Sequence, residues 1–190
     1  MKKVRKFLAM AVLLVVTTGW AQTPIPTPPP TVSISGTVTY CSNPTLSPLP
    51  GVTMTLTGTS GGSTTTDAAG NYSFTGLPFG GSYTVTPTKA ALPPGSTGIN
   101  VVDVIAVIRH YMLTGCRLRA ADVNGDNTIN QVDVIAIQRF ILGLSTGIAN
   151  VGKHQFTPAN RTYPGLVTDQ TAQNYDTLVF GDVARPFVEK

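Results

Sequence analysis

Asp122, Asn124, Asp126, Thr128, Asn130 and Asp133 fall at positions 1, 3, 5, 7, 9 and 12 of the stretch Asp-Val-Asn-Gly-Asp-Asn-Thr-Ile-Asn-Gln-Val-Asp. A hard cation such as calcium takes six to eight oxygens at about 2.3–2.6 Å. A short loop supplies them when alternate residues turn inward and a carboxylate from the following helix closes the cage. Here Asp122, Asn124 and Asp126 would give the first three ligands. Thr128 would give its backbone carbonyl, Asn130 a direct or water-mediated contact, and Asp133 the closing carboxylate. The alternative is a polar Asn/Asp/Gly turn that caps a helix and binds nothing. Three carboxylates with no Lys or Arg among them would repel one another without a cation. The stretch is therefore expected to bind calcium, with these six residues as its metal ligands.

In a calcium loop of the EF-hand type the sixth position is normally Gly, because the backbone turns sharply there. This chain has Asn127, and Asn enters the left-handed region more readily than other residues with a side chain. The substitution bears on affinity more than on the existence of the site.

The loop needs a helix behind it, and an internal repeat supplies two. Ile99-Asn-Val-Val-Asp103-Val-Ile-Ala-Val-Ile-Arg109 aligns without gaps to Ile129-Asn-Gln-Val-Asp133-Val-Ile-Ala-Ile-Gln-Arg139. Both read as helices of about three turns. Val104, Ile105, Ile108 and Met112 are expected on one apolar stripe, and Val134, Ile135, Phe140 and Ile141 on the other. Gly115 and Gly143 stand where C-terminal caps are expected. This pair of loop–helix units resembles the type I dockerin family over about residues 95–145. The resemblance implies paired calcium segments that pack together and bind a cohesin partner. The first copy departs from the pattern: Leu92, Pro94 and Ser96 replace three side-chain ligands, leaving Asn100 and Asp103. Either no metal or a weak site is expected there, with Asp103 acting as an N-terminal helix charge.

Upstream, the apolar period changes to two. Val32, Ile34, Gly36 and Val38 alternate with polar residues, as do Val52, Met54 and Leu56, then Tyr72 and Phe74, then Tyr83 and Val85. Turn residues separate the runs, so an antiparallel β-sandwich over 32–90 is expected. The ordered cues Ile-Ser-Gly-Thr-Val, Pro-Gly-Val-Thr-Met-Thr-Leu, Thr-Thr-Asp-Ala-Ala-Gly-Asn-Tyr-Ser-Phe and Leu-Pro-Phe-Gly-Gly-Ser-Tyr-Thr-Val resemble the carboxypeptidase-regulatory-like family of transthyretin-like modules. That resemblance implies a secreted sandwich; related sandwiches sometimes carry a Lys–Asn cross-link, and none is expected with Lys89 alone at the segment's end. The fold class read from the sequence is thus mostly β with a small α part. A sandwich precedes a two-helix, EF-hand-like module at 91–145, and a C-terminal β segment at 146–190 packs on both. In that segment His154-Gln-Phe-Thr-Pro and Asp176-Thr-Leu-Val-Phe-Gly-Asp-Val183 read as strands. Asp182 reads as a solvated strand-end carboxylate, a further calcium ligand being the alternative.

The chain opens with Lys2, Lys3, Arg5 and Lys6, then an apolar run from Phe7 to Val16, then Gly19 and Ala21. This pattern is expected to be a signal peptide at 1–21, cleaved near Ala21, and its apolar run is shorter than the roughly 20 residues a membrane span needs. Residues 22–31 form a Pro-rich extended tail. No anchor is expected, so the reading is extracellular or cell-surface. Four of the thirteen basic residues belong to that leader and all nine acidic residues follow it, leaving nine against nine. The apparent positive charge is removed with the leader, and no nucleic-acid partner is expected. Charged residues make up 12% of the chain, against the usual quarter or so. In an oxidising compartment Cys41 and Cys116 are expected to form a disulfide, two free thiols or an intermolecular bond being the alternatives.

No nucleophile elbow, His-Glu-x-x-His motif or phosphate loop is present. His110 reads as interfacial and His154 as the start of a strand. The expected function is a non-catalytic, calcium-binding, secreted structural protein that forms filament- or surface-type assemblies. An N-terminal arm, with residues 31–35 taking part, could act as donor strand to a neighbouring sandwich. Two alternatives stand beside it. One is a dockerin adaptor on a cohesin scaffold, cellulosome-like and associated with polysaccharide. The other is a carbohydrate-binding sandwich, for which Tyr40, Tyr72, Phe79 and Tyr83 are the aromatic candidates, though they read better as core or turn packing.

Overall fold

The computed structural model describes residues 29–41 and 47–184; the expected leader and most of the Pro-rich tail lie outside the described residues. Alternation of apolar and polar residues shapes the first strand, β1 (Thr31–Tyr40), which buries Val32, Ile34, Val38 and Tyr40. It is followed by β2 (Ser47–Pro48), β3 (Thr53–Gly58), β4 (Gly62–Thr65), β5 (Asn71–Pro78) and β6 (Gly81–Thr88). Helices α1 (Val101–Ile108), α2 (Gly115–Ala121) and α3 (Gln131–Ile141) come next, then β7 (His154–Thr157), β8 (Arg161–Leu166) and β9 (Tyr175–Val179). The molecule is mostly β, with a small helical module inserted between strands of one sandwich.

The strands form two sheets. In one the order is β2-β1-β9-β7, with β5 pairing the first part of β1; in the other it is β4-β3-β6-β8. The inner faces bring together Ile34, Val38, Val52, Met54, Leu56, Tyr72, Phe74, Tyr83, Val85 and Tyr175. Such side chains each contribute about 1.5–3 kcal/mol on full burial. The Tyr175 hydroxyl crosses the layer to donate to the Val85 carbonyl at 2.9 Å, so the buried phenol is not left unsatisfied.

The last three strands are integral to this sandwich. β9 lies parallel to β1 with Val38, Thr39 and Tyr40 opposite Tyr175, Asp176 and Thr177, while β8 extends the second sheet beyond β6. A parallel neighbour requires a crossover, and the helical module lies within the chain that makes it. β1 is accordingly paired on both sides. Thr31 to Thr37 face β5, while the amide of Ser35 donates to the Gln170 carbonyl and that of Gln173 to the Ser35 carbonyl. Residues 31–35 are thus spent within their own sandwich, which corrects the expectation that they could be offered to a neighbour. Gly36 permits this crowding, since a Cβ there would sit 2.4 Å from the Gln173 carbonyl oxygen.

A second core lies beneath the helices. Ile99, Val104, Val107, Val123, Ile137, Phe140, Val151 and Val183 meet Tyr40, Leu178 and Val179 from the sandwich strands. The disulfide joins Cys41, just past β1, to Cys116 in α2, with Cα atoms 6.3 Å apart. No helix among the described residues is long and apolar enough to cross a membrane.

Candidate functional site

The loop at 122–133 is organised by its own side chains. The Asp122 carboxylate accepts from the amides of Gly125 at 2.8 Å, Asp126 at 3.2 Å and Asn127 at 2.9 Å, wrapping the backbone around itself. Asn127 takes φ 65°, the left-handed turn required of the sixth residue. Asn124 Oδ1 accepts from the Asp126 amide, and its Nδ2 donates to Asp126 Oδ2 at 2.8 Å. Asp126 Oδ1 accepts from the Thr128 amide and hydroxyl. The Thr128 hydroxyl, then Asn124, hold the exposed Asp126 carboxyl below its usual range.

Asn130 and Asp133 sit at the start of α3. Asn130 Oδ1 caps the helix by accepting from the Val132 amide at 2.7 Å, and Asp133 Oδ2 accepts from the Asn130 amide at 2.9 Å. This reciprocal box is a strong helix start. Asp133 Oδ1 reaches back across the loop to the amides of Val123 at 2.9 Å and Asn124 at 3.3 Å.

The six sequence-predicted positions carry oxygen donors throughout and no basic side chain, Asp133 meeting the start of the loop through the amides of Val123 and Asn124. Asp122, Asn124, Asp126 and Thr128 are linked directly, while Asp133 is 0% exposed and faces backbone amides. Among the described residues, no three His, Cys, Asp or Glu side chains are grouped to hold a metal, so Asp122, Asp126 and Asp133 are not gathered into one carboxylate cluster. The donor chemistry fits a hard cation, and the φ of Asn127 fits the turn that such a loop needs.

The first repeat has the same helix start. Asn100 and Asn130 both take φ −146°, and both head a complete capping box, with Asp103 and Asp133 at its third position. Asp103 Oδ2 accepts from the Asn100 amide at 2.8 Å. Its Oδ1 accepts from the amides of Val183 and Ala184, each at 2.8 Å. Asp103 thus does more than place a charge at a helix N-terminus; it holds a second piece of chain.

The capping boxes fix which side of each helix points inward, and this corrects the expected stripes. α1 buries Asp103, Val104 and Val107, and α3 buries Asp133, Ala136, Ile137 and Phe140. Ile105, Ile108, Met112 and Ile135, expected inside, face solvent. Both helices are apolar on two sides, so hydrophobicity alone does not identify the core face. α1 also ends earlier than expected, followed by a single 3-10 turn at His110–Met112, and Gly115 opens α2 instead of capping α1. Gly143, with φ 72°, does follow α3 as a cap.

What this orientation exposes is duplicated. Ile105 and Ile135, at matching positions, are 45% and 53% exposed; Met112 and Leu142 are 69% and 71% exposed; Val102 and Val132 are exposed as well. A groove of about 440 Å³ between α1 and α3 is lined by Val107, Ile108, His110, Ile129, Val134 and Ile135. His110 Nδ1 lies 3.3 Å from the Val107 carbonyl of the preceding helical turn.

Residues 33–104 match the carboxypeptidase regulatory-like domain and residues 95–149 match the type I dockerin domain. The chain resembles these two domains in that order. Both are non-catalytic. No curated protein matches the chain in sequence. One solved structure it resembles is GBS52, the minor pilin of the gram-positive pathogen Streptococcus agalactiae. That likeness has 12% identity and a TM-score of 0.37, covering 84% of this chain and 48% of that one. The present chain thus spans about half the length of that structure.

Outside the dockerin-like loop, Tyr40 is in the core as expected, but its bond to Asp182 was not foreseen and Asp182 was misplaced. Asp182 is buried beyond the end of β9 and accepts from the Tyr40 hydroxyl at 2.7 Å. Burial, with Asp103 nearby, pushes its carboxyl up to about 7, while the Tyr40 bond and Arg117 pull it the other way. In sequence, Gly181-Asp182-Val183 shares Asp-Val with Ala121-Asp122-Val123, but Asp122 is only half-buried, so the likeness does not foretell the burial of Asp182. Of the aromatics weighed as a sugar platform, Tyr40, Tyr72 and Tyr83 are buried and Phe79 is exposed.

Proposed function

We propose that this protein is a non-catalytic docking and assembly protein of the cell exterior, exported by its leader. It presents the paired outer faces of α1 and α3 to a protein partner. Calcium, held by Asp122, Asn124, Asp126, Thr128, Asn130 and Asp133, supplies a positive centre that offsets the mutual repulsion of the loop carboxylates and stiffens the approach to α3. The sandwich is the body displayed or linked by this module.

The observation that carries the reading is the duplicated apolar face. Exposed apolar side chains scattered singly need no explanation, whereas a contiguous patch marks an interaction surface. Here the same positions of two repeats are exposed, and they lie on the segment that matches a dockerin. In the first form of the reading the partner is another copy, giving filament- or surface-type assemblies. In the second the partner is a cohesin-type protein, a form favoured by the dockerin match.

The two are separated by following the mature, oxidised chain by light scattering and electron microscopy, with calcium and with EGTA. Calcium-dependent oligomers or filaments lost in the Ile105→Ser/Ile135→Ser double variant support self-assembly. A chain that stays monomeric yet binds a cohesin through the same residues supports the second form. A monomer that binds no cohesin, with both faces left free, would overturn the docking function.

A further inference from the structure

We infer that the first repeat is completed by the chain's own residues 181–184 in place of a calcium loop, so that α1 is held in its docking position without metal. The equivalence is local and bond by bond. In the second repeat, Asp133 grips the amides of Val123 and Asn124, which precede it. In the first, Asp103 grips the amides of Val183 and Ala184, which follow it by eighty residues or more. Val123 and Val183 are both buried in the same core. Gly181 takes the place of Ala121, and its amide donates to the Ala120 carbonyl at 2.8 Å, so the two matching segments lie side by side.

The substitution is specific to this segment. Gly181 has φ +91°, and a Cβ there would lie 2.9 Å from Val151 and 3.4 Å from Ile99, so glycine lets the chain enter the helical core. Asp182, at the position of Asp122, turns to the Tyr40 hydroxyl. Arg117 then fastens the end of the segment, its Nε donating to the Val183 carbonyl at 2.5 Å and its Nη2 to the Ala184 carbonyl at 3.1 Å. A cation does not fit this half. In sequence, Ala184 and Pro186 stand where Asn124 and Asp126 supply oxygens, so the side-chain donors of the second loop are missing here. Residues 92–99, which precede α1 directly, do not take the part that 122–129 take before α3. The module is thus a pair of loop–helix units whose first unit is assembled from distant pieces, one metal-dependent and one not.

Hydrogen exchange followed by mass spectrometry on the full oxidised chain tests this, and needs neither a partner nor the docking reading. EGTA is expected to speed exchange at 122–133 while leaving 101–108 within about twofold. Asp103→Ala, or a chain ending after Gly181, is expected to speed exchange in 101–108 by about tenfold or more with 131–141 still protected in calcium. Equal loss of protection in both helices on adding EGTA would overturn the inference. So would retained protection of α1 in the shortened chain. Loss of protection in β3 together with α1 in both variants would also overturn it, because 181–184 would then be a general core element and not the completion of one repeat.

Discussion

The Tyr40 hydroxyl donates to Asp182 Oδ2 at 2.7 Å, binding the end of the first sandwich strand to the segment that runs under α1. Burial raises the Asp182 carboxyl to about 7 from 3.8. The folded protein therefore holds a proton there that the unfolded chain releases near pH 4. Between those values the native state binds more protons, so stability falls as pH rises and levels off above about 7. Urea unfolding at pH 5 and pH 8 should show this loss, and Asp182→Asn should flatten it. An unchanged slope in the Asn variant would assign the pH dependence to another group.

Calcium removal should act on one repeat. Mass spectrometry of the native chain is expected to find about one calcium per chain, and EGTA should lower the melting temperature. Asp122→Ala with Asp126→Ala should abolish both the bound ion and the EGTA effect. An unchanged melting temperature together with no detected calcium would remove the metal from this protein.

Asp133 should matter even without the ion. Its two oxygens serve three amides, and a buried amide left without a partner costs about 1–3 kcal/mol. Asp133→Ala should therefore destabilise the chain in EGTA as well as in calcium, measured by denaturant midpoint. An effect confined to calcium buffer would make Asp133 a ligand only.

Reduction of the disulfide tests how firmly the module is tied to the sandwich. Cys41 and Cys116 are 75 residues apart in sequence, and the chain-entropy model gives about 4 kcal/mol for such a loop. Cys41→Ser with Cys116→Ser should lower stability by an amount of that order. Ile105→Ser with Ile135→Ser should leave it within about 0.5 kcal/mol, because surface changes seldom cost more.

Much of this was legible in local pattern. The period-two runs around Ile34, Met54, Phe74 and Val85 give the sandwich, and the paired Asn100/Asp103 and Asn130/Asp133 give two helix starts. The facing of the helices was not legible, because Val104 and Ile105 are equally apolar and only the inward carboxylate of Asp103 decides between them. α2 was missed: Gly115-Cys-Arg-Leu-Arg-Ala-Ala is short, and no side chain caps its start. The pairing of β9 with β1, and of Val183 with Asp103, depends on contacts between distant parts of the chain that no local window contains. The same distance hid the role of Asp182, whose burial follows from tertiary position and not from its neighbours in sequence.

The parallel alignment of β1 and β9 has a consequence for mechanical load. Tension applied before Thr31 and after Val179 would draw the two strands in opposite directions along their lengths. The hydrogen bonds between them lie across that pull, so they would be strained together in shear instead of unzipping one at a time. A chain subjected to drag would gain resistance from this arrangement. A single-molecule pulling trace with a high first rupture force, sharply lowered by moving one attachment point to the β1–β5 end, would reveal it.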